Sequence, residues 1–383
     1  MKSCPYCKQT IEDNLPYCSH CNKPLLVNLN KKSSETQTFD LEIIKEDELQ
    51  QRIKEIENSI QQKIVFGESI GSLLLEKANL FYQKKDLEAA LKNLESALNI
   101  FIDDNDLVNI AISYNEIGLI HEETGFYDNA MNQFEQSLEI LENTSEYKIL
   151  IQVYNNLANI HYLLQNIEKS YEYYNKALKL AERENFTLEE IKTSSNLVEI
   201  LFYLEDYEKI ERILKRNLEY FRYINDNYGV IISLSKMGKL YYQLGHDHYD
   251  QANQNLLDAL DLITKIGYDD IHFKAKLKWE CYFYLGKVYL AKNNRELAES
   301  YLLDSLETIR ILEDKNINEC RILETLANLY ELSDENTKAI DYYKLSNDIY
   351  QKFGNDVKLA EVNYKIAQIY QEIIEKELPG EIQ

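Results

Sequence analysis

Tyr154-Asn155-Asn156-Leu157-Ala158-Asn159-Ile160-His161 is the stretch on which the fold turns. Ala158 is small. Tyr154, four residues before it, and His161, three after it, are large, and at these spacings all three share one face of a helix. Twelve residues past Ala158 stands a second small residue, Ser170, and four beyond that a large one, Tyr174. Between the two groups lies a short polar break. The pattern predicts two antiparallel helices that approach closely at the small positions and fill the flanking space with the large ones.

The same pattern extends in both directions. Ala78, Gly118, Ala158, Val198, Gly238, Gly286, Ala327 and Ala367 mark the first helix of each pair, with the first four intervals all 40 residues and the rest 48, 41 and 40. Ala90, Ala130, Ser170, Ala252, Ala298 and Ala339 mark the second helix, and bulky Ile210 takes that place in repeat four, where Val198 is bulky too. A hairpin of this kind buries only one face against its neighbours, so it is stable as part of a stack. Only 11 Gly and 4 Pro in 383 residues also speak for helix over a turn-rich β fold.

Outside the array, Leu49, Ile53, Ile56, Ile60 and Ile64 form an apolar stripe, so residues 41–66 are expected to be an amphipathic helix. It either packs on the first repeat or makes a homodimer with a second copy through a short coiled coil. Residues 28–40 are Asn, Lys, Ser and Thr rich and read as a flexible linker. Residues 1–27 carry two CxxC pairs, Cys4/Cys7 and Cys18/Cys21. Two such turns supply four soft ligands in the tetrahedral arrangement that zinc prefers, and metal binding would provide the folding energy that so short a segment cannot gain from a core. One structural Zn²⁺ held by Cys4, Cys7, Cys18 and Cys21 is the expectation. His20, inside the second pair, is an alternative ligand, though four thiolates already complete the shell.

The formal net charge of −23 disfavours a phosphate backbone or an anionic lipid surface as partner. Residues 1–32, with five lysines and two acids, are the exception, so contact of the zinc segment with nucleic acid stays open as a second reading. No secretory signal and no apolar run long enough for a membrane span is read, and a cytoplasmic protein is expected. Cys281 and Cys320 fall on predicted helices and read as reduced packing residues. His121 and His161 occupy positions filled elsewhere by Tyr, Phe or Leu, and so read as core more readily than as metal ligands. The run Gly245-His246-Asp247-His248-Tyr249-Asp250 has metal-capable side chains but no third fixed ligand group. No phosphate-cradling loop, nucleophile elbow or HExxH motif is present, which makes an enzyme the weakest of the function classes.

Two resemblances attach to these residues. Residues 4–25, with a CPxC knuckle, Tyr17 before the third Cys and a second knuckle, resemble the short zinc ribbon that opens many bacterial and archaeal proteins, although Lys8 and Asn22 stand where that family has Gly. Residues 71–376 resemble the tetratricopeptide repeat in its 40-residue variant. That resemblance implies an all-α solenoid with a right-handed superhelical twist. Seven hairpins would span 71–356, a final helix at 357–376 would cap them, and a concave face lined by the first helix of each pair would bind a peptide or partner helix without catalysis. Carried onto this chain, the groove positions include Asn79, Tyr82, Asn155, Asn159, Tyr162, Phe202, Lys239, Tyr242 and Lys287. The two lysines are the ones placed to meet a partner carboxylate.

Overall fold

The computed structural model describes residues 2–3, 10–11, 46–266, 270–312 and 317–377. The four cysteines expected to hold zinc and the linker at 28–40 lie outside the described residues, as do residues 41–45 of the expected helix at 41–66. Of the N-terminal segment, β1 (Lys2–Ser3) and β2 (Thr10–Ile11) pair antiparallel, Lys2 opposite Ile11.

Sixteen α-helices follow among the described residues: α1 (Glu46–Phe66), α2 (Gly71–Gln83), α3 (Leu87–Asp103), α4 (Leu107–Glu123), α5 (Tyr127–Leu141), α6 (Tyr147–Leu163), α7 (Ile167–Glu184), α8 (Thr187–Tyr203), α9 (Tyr207–Tyr223), α10 (Asn227–Leu244), α11 (Tyr249–Lys265), α12 (Ile271–Ala291), α13 (Arg295–Arg310), α14 (Ile317–Glu331), α15 (Asn336–Phe353) and α16 (Asp356–Glu377). They fall into two compact units, Met1–Glu205 and Asp206–Gln383. The first holds α1, the hairpins α2/α3, α4/α5 and α6/α7, and α8. The second holds α9, the hairpins α10/α11, α12/α13 and α14/α15, and α16. No helix among the described residues is long and apolar enough to cross a membrane.

One turn chemistry builds three of the six hairpins, α2/α3, α6/α7 and α12/α13, and also the connection from α9 to α10. The residue after the last turn of a helix adopts a left-handed conformation, as at Lys85, Gln165 and Asn293, and an Asp or Asn then caps the next helix. Asp86 accepts from the Ala89 amide at 3.0 Å, Asp226 from Gly229 at 3.0 Å and Asn294 from Leu297 at 3.2 Å. The amide of the capping residue itself reaches back to a carbonyl of the finished helix, Asp86 N to Phe81 O at 3.0 Å, so the same three residues end one helix and begin the next.

Close approach within a hairpin follows from the small marks. A Cβ built on Gly118 would stand 2.5 Å from the Phe134 ring, and one on Gly286 would stand 2.6 Å from Leu302 Cγ. Where a serine replaces alanine its hydroxyl crosses the gap. Ser170 donates to the Ala158 carbonyl at 2.7 Å, Ser137 to Ala111 at 2.7 Å and Ser305 to Trp279 at 2.8 Å. Buried side chains of α4 to α7, Phe134, Leu141, Ile151, Val153 and Leu157 among them, form one continuous core in the first unit. Val198 and Ile210, the bulky departures of repeat four, are both fully buried, and the division between the units falls between them.

The stripe on α1 is largely used within the chain. Leu49, Ile53 and Ile56 are buried with Leu80 of α2, while Ile64, Val65 and Phe66 at its end stay exposed. Packing on the first repeat is therefore what the stripe does, and a coiled coil through its buried residues would have to displace α2. At the other end, α16 buries Val362, Ile366 and Ile369, on the side that meets α15. Its Ala367, the last mark of the register, is exposed. Among the described residues no helix follows to cover it.

Candidate functional site

The first helices of successive hairpins lie side by side within each unit, α4 with α6 and α6 with α8, then α10 with α12 and α12 with α14. All nine residues expected to line a groove lie on these first helices or on α2, and all nine are half-buried. They divide into two sets: Asn79, Tyr82, Asn155, Asn159, Tyr162 and Phe202 in the first unit, and Lys239, Tyr242 and Lys287 in the second.

In the first unit the surface is built of fixed carboxamides. Asn155 Nδ2 donates to the Ile151 carbonyl at 2.9 Å and to Thr193 Oγ1 on α8 at 2.8 Å. Because a carbonyl can only accept, this orients the amide. Asn155 Oδ1 is then left buried with no hydrogen-bond partner among the described residues. Next to it, Asn156 Nδ2 donates to Asn115 Oδ1 on α4 at 2.8 Å. Asn159 is held differently: its Oδ1 accepts from the hydroxyl of Tyr174, which is 3% exposed, so this asparagine also anchors the second helix of its own hairpin. Two acids of α4 complete the surface. Burial pushes Glu116 up to about 7, opposed by its contact with Asn115, and burial with the nearby Glu123 charge does the same for Glu122. Tyr82 sits among these acids, and its hydroxyl is held well above the ordinary tyrosine range by burial and by its hydrogen bond to Glu123.

The second unit presents rings and cations instead. Tyr242 stacks on Tyr249 at 6.0 Å and tilts against Tyr284 at 5.8 Å. Lys287 Nζ lies 4.7 Å from the centre of the Tyr242 ring. Sequence reasoning passed over Arg321, which stands 5.1 Å from the Phe283 ring, and likewise Glu116, Thr193 and Asn156, the donor to Asn115. Arg321 lies six residues before the mark Ala327, one helical turn beyond the positions carried over from the family, and continuing the same face by a turn would have found it.

Of the other candidates, His161, Cys281 and Cys320 are buried, while His121 and His248 are only half-buried. His161 is 5% exposed and stacks on Tyr173 at 5.5 Å with 8° between the planes, and burial lowers its pKa. His121 packs edge-on to Phe126. His248 stacks on Tyr241 at 5.9 Å. Among the described residues no group of three or more metal-capable side chains converges. Cys281 and Cys320 are buried free thiols, pushed up to about 12 and about 11, chiefly by burial.

The repeats at residues 69–143 and 151–184 match the tetratricopeptide repeat by sequence. No curated protein sequence matches the chain. Among solved structures, the apo form of the quorum sensor NprR from B. thuringiensis is similar at 16% identity with a TM-score of 0.60, over 85% of this chain and 89% of that one. The apo form of RapI is similar at 17% identity and a TM-score of 0.56, over 74% and 99%. A Rap protein complexed with Competence and Sporulation Factor is similar at 14% identity and a TM-score of 0.53, over 86% and 97%. The fold is thus an all-helical array of the tetratricopeptide-repeat kind.

Proposed function

We propose that this protein is a non-enzymatic interaction scaffold whose first-helix faces bind a peptide or partner helix. The observation that carries the reading is Asn155. Its amide is locked by two acceptors and its Oδ1 is buried without a partner. An unsatisfied buried acceptor costs about 1–3 kcal/mol, and a peptide N–H that displaces the side chains covering it would recover that cost. The Rap structure complexed with Competence and Sporulation Factor supports the reading, since it shows a ligand held by a fold of this kind. Cys4, Cys7, Cys18 and Cys21 would hold one structural zinc in a ribbon that makes a second protein contact.

The test is a synthetic array of random 15-residue peptides probed with the full chain and with Asn155→Leu and Tyr162→Ala variants. Binding that disappears in both variants, with thermal midpoints retained, supports the reading. Peptide sets identical to those of the unaltered chain refute it. Metal analysis of the purified chain is expected to give one zinc per molecule.

A further inference from the structure

Lys287 on α12 is held in a setting that opposes its charge. Its ammonium lies 4.7 Å from the ring centre of Tyr242, 5.4 Å from that of Phe283 and 5.9 Å from that of Tyr284. Phe283 and Tyr284 are 2% and 1% exposed, so this wall is dry. Arg321 on α14 reaches the same place. Its guanidinium lies 5.1 Å from the Phe283 ring centre, steadied by Asn318 Oδ1 at 3.3 Å and the Tyr284 hydroxyl at 3.4 Å. Two cations therefore share one phenyl ring.

The local carboxylates are occupied. On α12 the acid is Glu280, and it pairs with Lys236 at 3.8 Å. On α14, Glu319 pairs with Arg310 at 2.7 Å, Glu324 accepts from the Tyr350 hydroxyl at 2.6 Å, and Glu331 accepts from Tyr343 at 3.2 Å. Helix α10, which brings Tyr242, has no acid at all. Burial and Arg321 both work against the Lys287 charge, holding its pKa below the ordinary lysine range. Folding gains little from such an arrangement. Cation–π attraction offsets part of the desolvation, but among the described residues the like-charge repulsion meets no carboxylate counterweight. In a chain with 65 acidic and 42 basic residues, a carboxylate would be easy to supply from within.

We propose that Lys287 and Arg321, walled by Tyr242, Phe283 and Tyr284, form the receptor for a carboxylate carried by a bound peptide. The reading rests on the proposed scaffold function and specifies its partner. Arg321 offers a planar fork and Lys287 a single strong donor to the two carboxylate oxygens, and the dry aromatic wall strengthens both bonds. The carbon chain of the acidic residue would lie on the exposed part of Tyr242. An Asp or Glu side chain and a C-terminal carboxylate present the same group.

The experiment selects randomised dodecapeptides on the full chain in two arms, one blocked at both ends and one with a free C-terminus. Enrichment of Asp or Glu at one position in the blocked arm assigns a side chain, and selection confined to the free arm assigns the main-chain terminus. Both support the proposal. Peptides carrying the selected carboxylate are then compared with their Gln or C-terminal amide counterparts. A ratio of about tenfold in affinity is expected for the unaltered chain, shrinking toward one in Lys287→Met and in Arg321→Gln. Peptides bound without any carboxylate preference, or a preference that survives both substitutions, overturn the proposal and leave the scaffold reading intact, because the Asn155→Leu effect is scored separately. A chain that selects no peptide overturns both. The thermal midpoint is the folding control. Lys287→Met is expected to hold or raise it, and a marked fall would show that the ammonium serves the fold.

Discussion

Gly118→Ala tests the register on which the whole array depends. The added Cβ would lie 2.5 Å from Phe134 Cε1, 2.7 Å from Cδ1 and 3.0 Å from Cζ. Phe134 is fully buried within the core of α4 to α7, so its ring cannot swing aside without moving its neighbours. Overpacking of this kind costs about 1–3 kcal/mol. Alanine in place of glycine inside a helix returns about 1 kcal/mol. The net expectation is a loss of roughly 1 kcal/mol. Phe134→Leu alone leaves a void and also destabilises, on the order of 1–3 kcal/mol. In the double variant the smaller side chain makes room for the methyl, so the pair is expected to couple by about 1 kcal/mol or more. Urea unfolding followed by circular dichroism would measure the losses. Amide exchange on α4 and α5 would place them, since an array need not unfold in one step. A Gly118→Ala chain about 1 kcal/mol more stable, with strictly additive losses, would show that the two helices do not meet at these residues.

Further outcomes follow from the same structure. Gln165, at φ 60°, occupies a left-handed position where a side chain is disfavoured, so Gln165→Gly is expected to stabilise by about 0.5–1 kcal/mol in thermal unfolding. Glu116 and Glu122 have folded-state pKa values raised to about 7 from an ordinary 4.5, so the folded state binds their protons more tightly. Stability of the first unit should then be greatest below pH 4.5 as far as these two groups are concerned, and fall as pH rises toward 7. In Glu116→Gln plus Glu122→Gln this slope in the unfolding midpoint should flatten. Thiol titration should find Cys281 and Cys320 unreactive in the native protein, release the remaining four cysteines on adding a zinc chelator, and expose all six in denaturant. Four thiols that react freely before chelation would remove the zinc reading.

The long-period pattern was legible because sterics made it so. A Cβ at Gly118 would stand 2.5 Å from Phe134 and one at Gly286 2.6 Å from Leu302, so such positions stay small and the interval between them survives in the bare sequence. The turns were legible in part. Asp86 and Asn294 announce helix starts, but Lys85 and Gln165 give no sign that their backbone turns left-handed, because the tertiary packing of the two helices imposes it. The surface was least legible. Asn155 and Lys287 stood out as polar residues on a predicted face, yet their meaning lies in what surrounds them: a threonine 38 residues away that fixes the amide, and an arginine on another helix that shares a ring with the lysine. Spacing along one helix carries no information about such partners. Repeat four shows the reverse. Its bulky Val198 and Ile210 broke the pattern in sequence, and the chain divides into its two units between them.

Trp279, whose carbonyl accepts the Ser305 hydroxyl, is the sole indole in a chain with 30 tyrosines. It belongs to the second unit, on the same helix as Lys287 and two turns before it. The molecule is therefore optically lopsided. Emission excited at the red edge of the absorption band arises from α12, in the second unit. A ligand that shifts this emission has altered the surroundings of α12, the helix that carries the lysine.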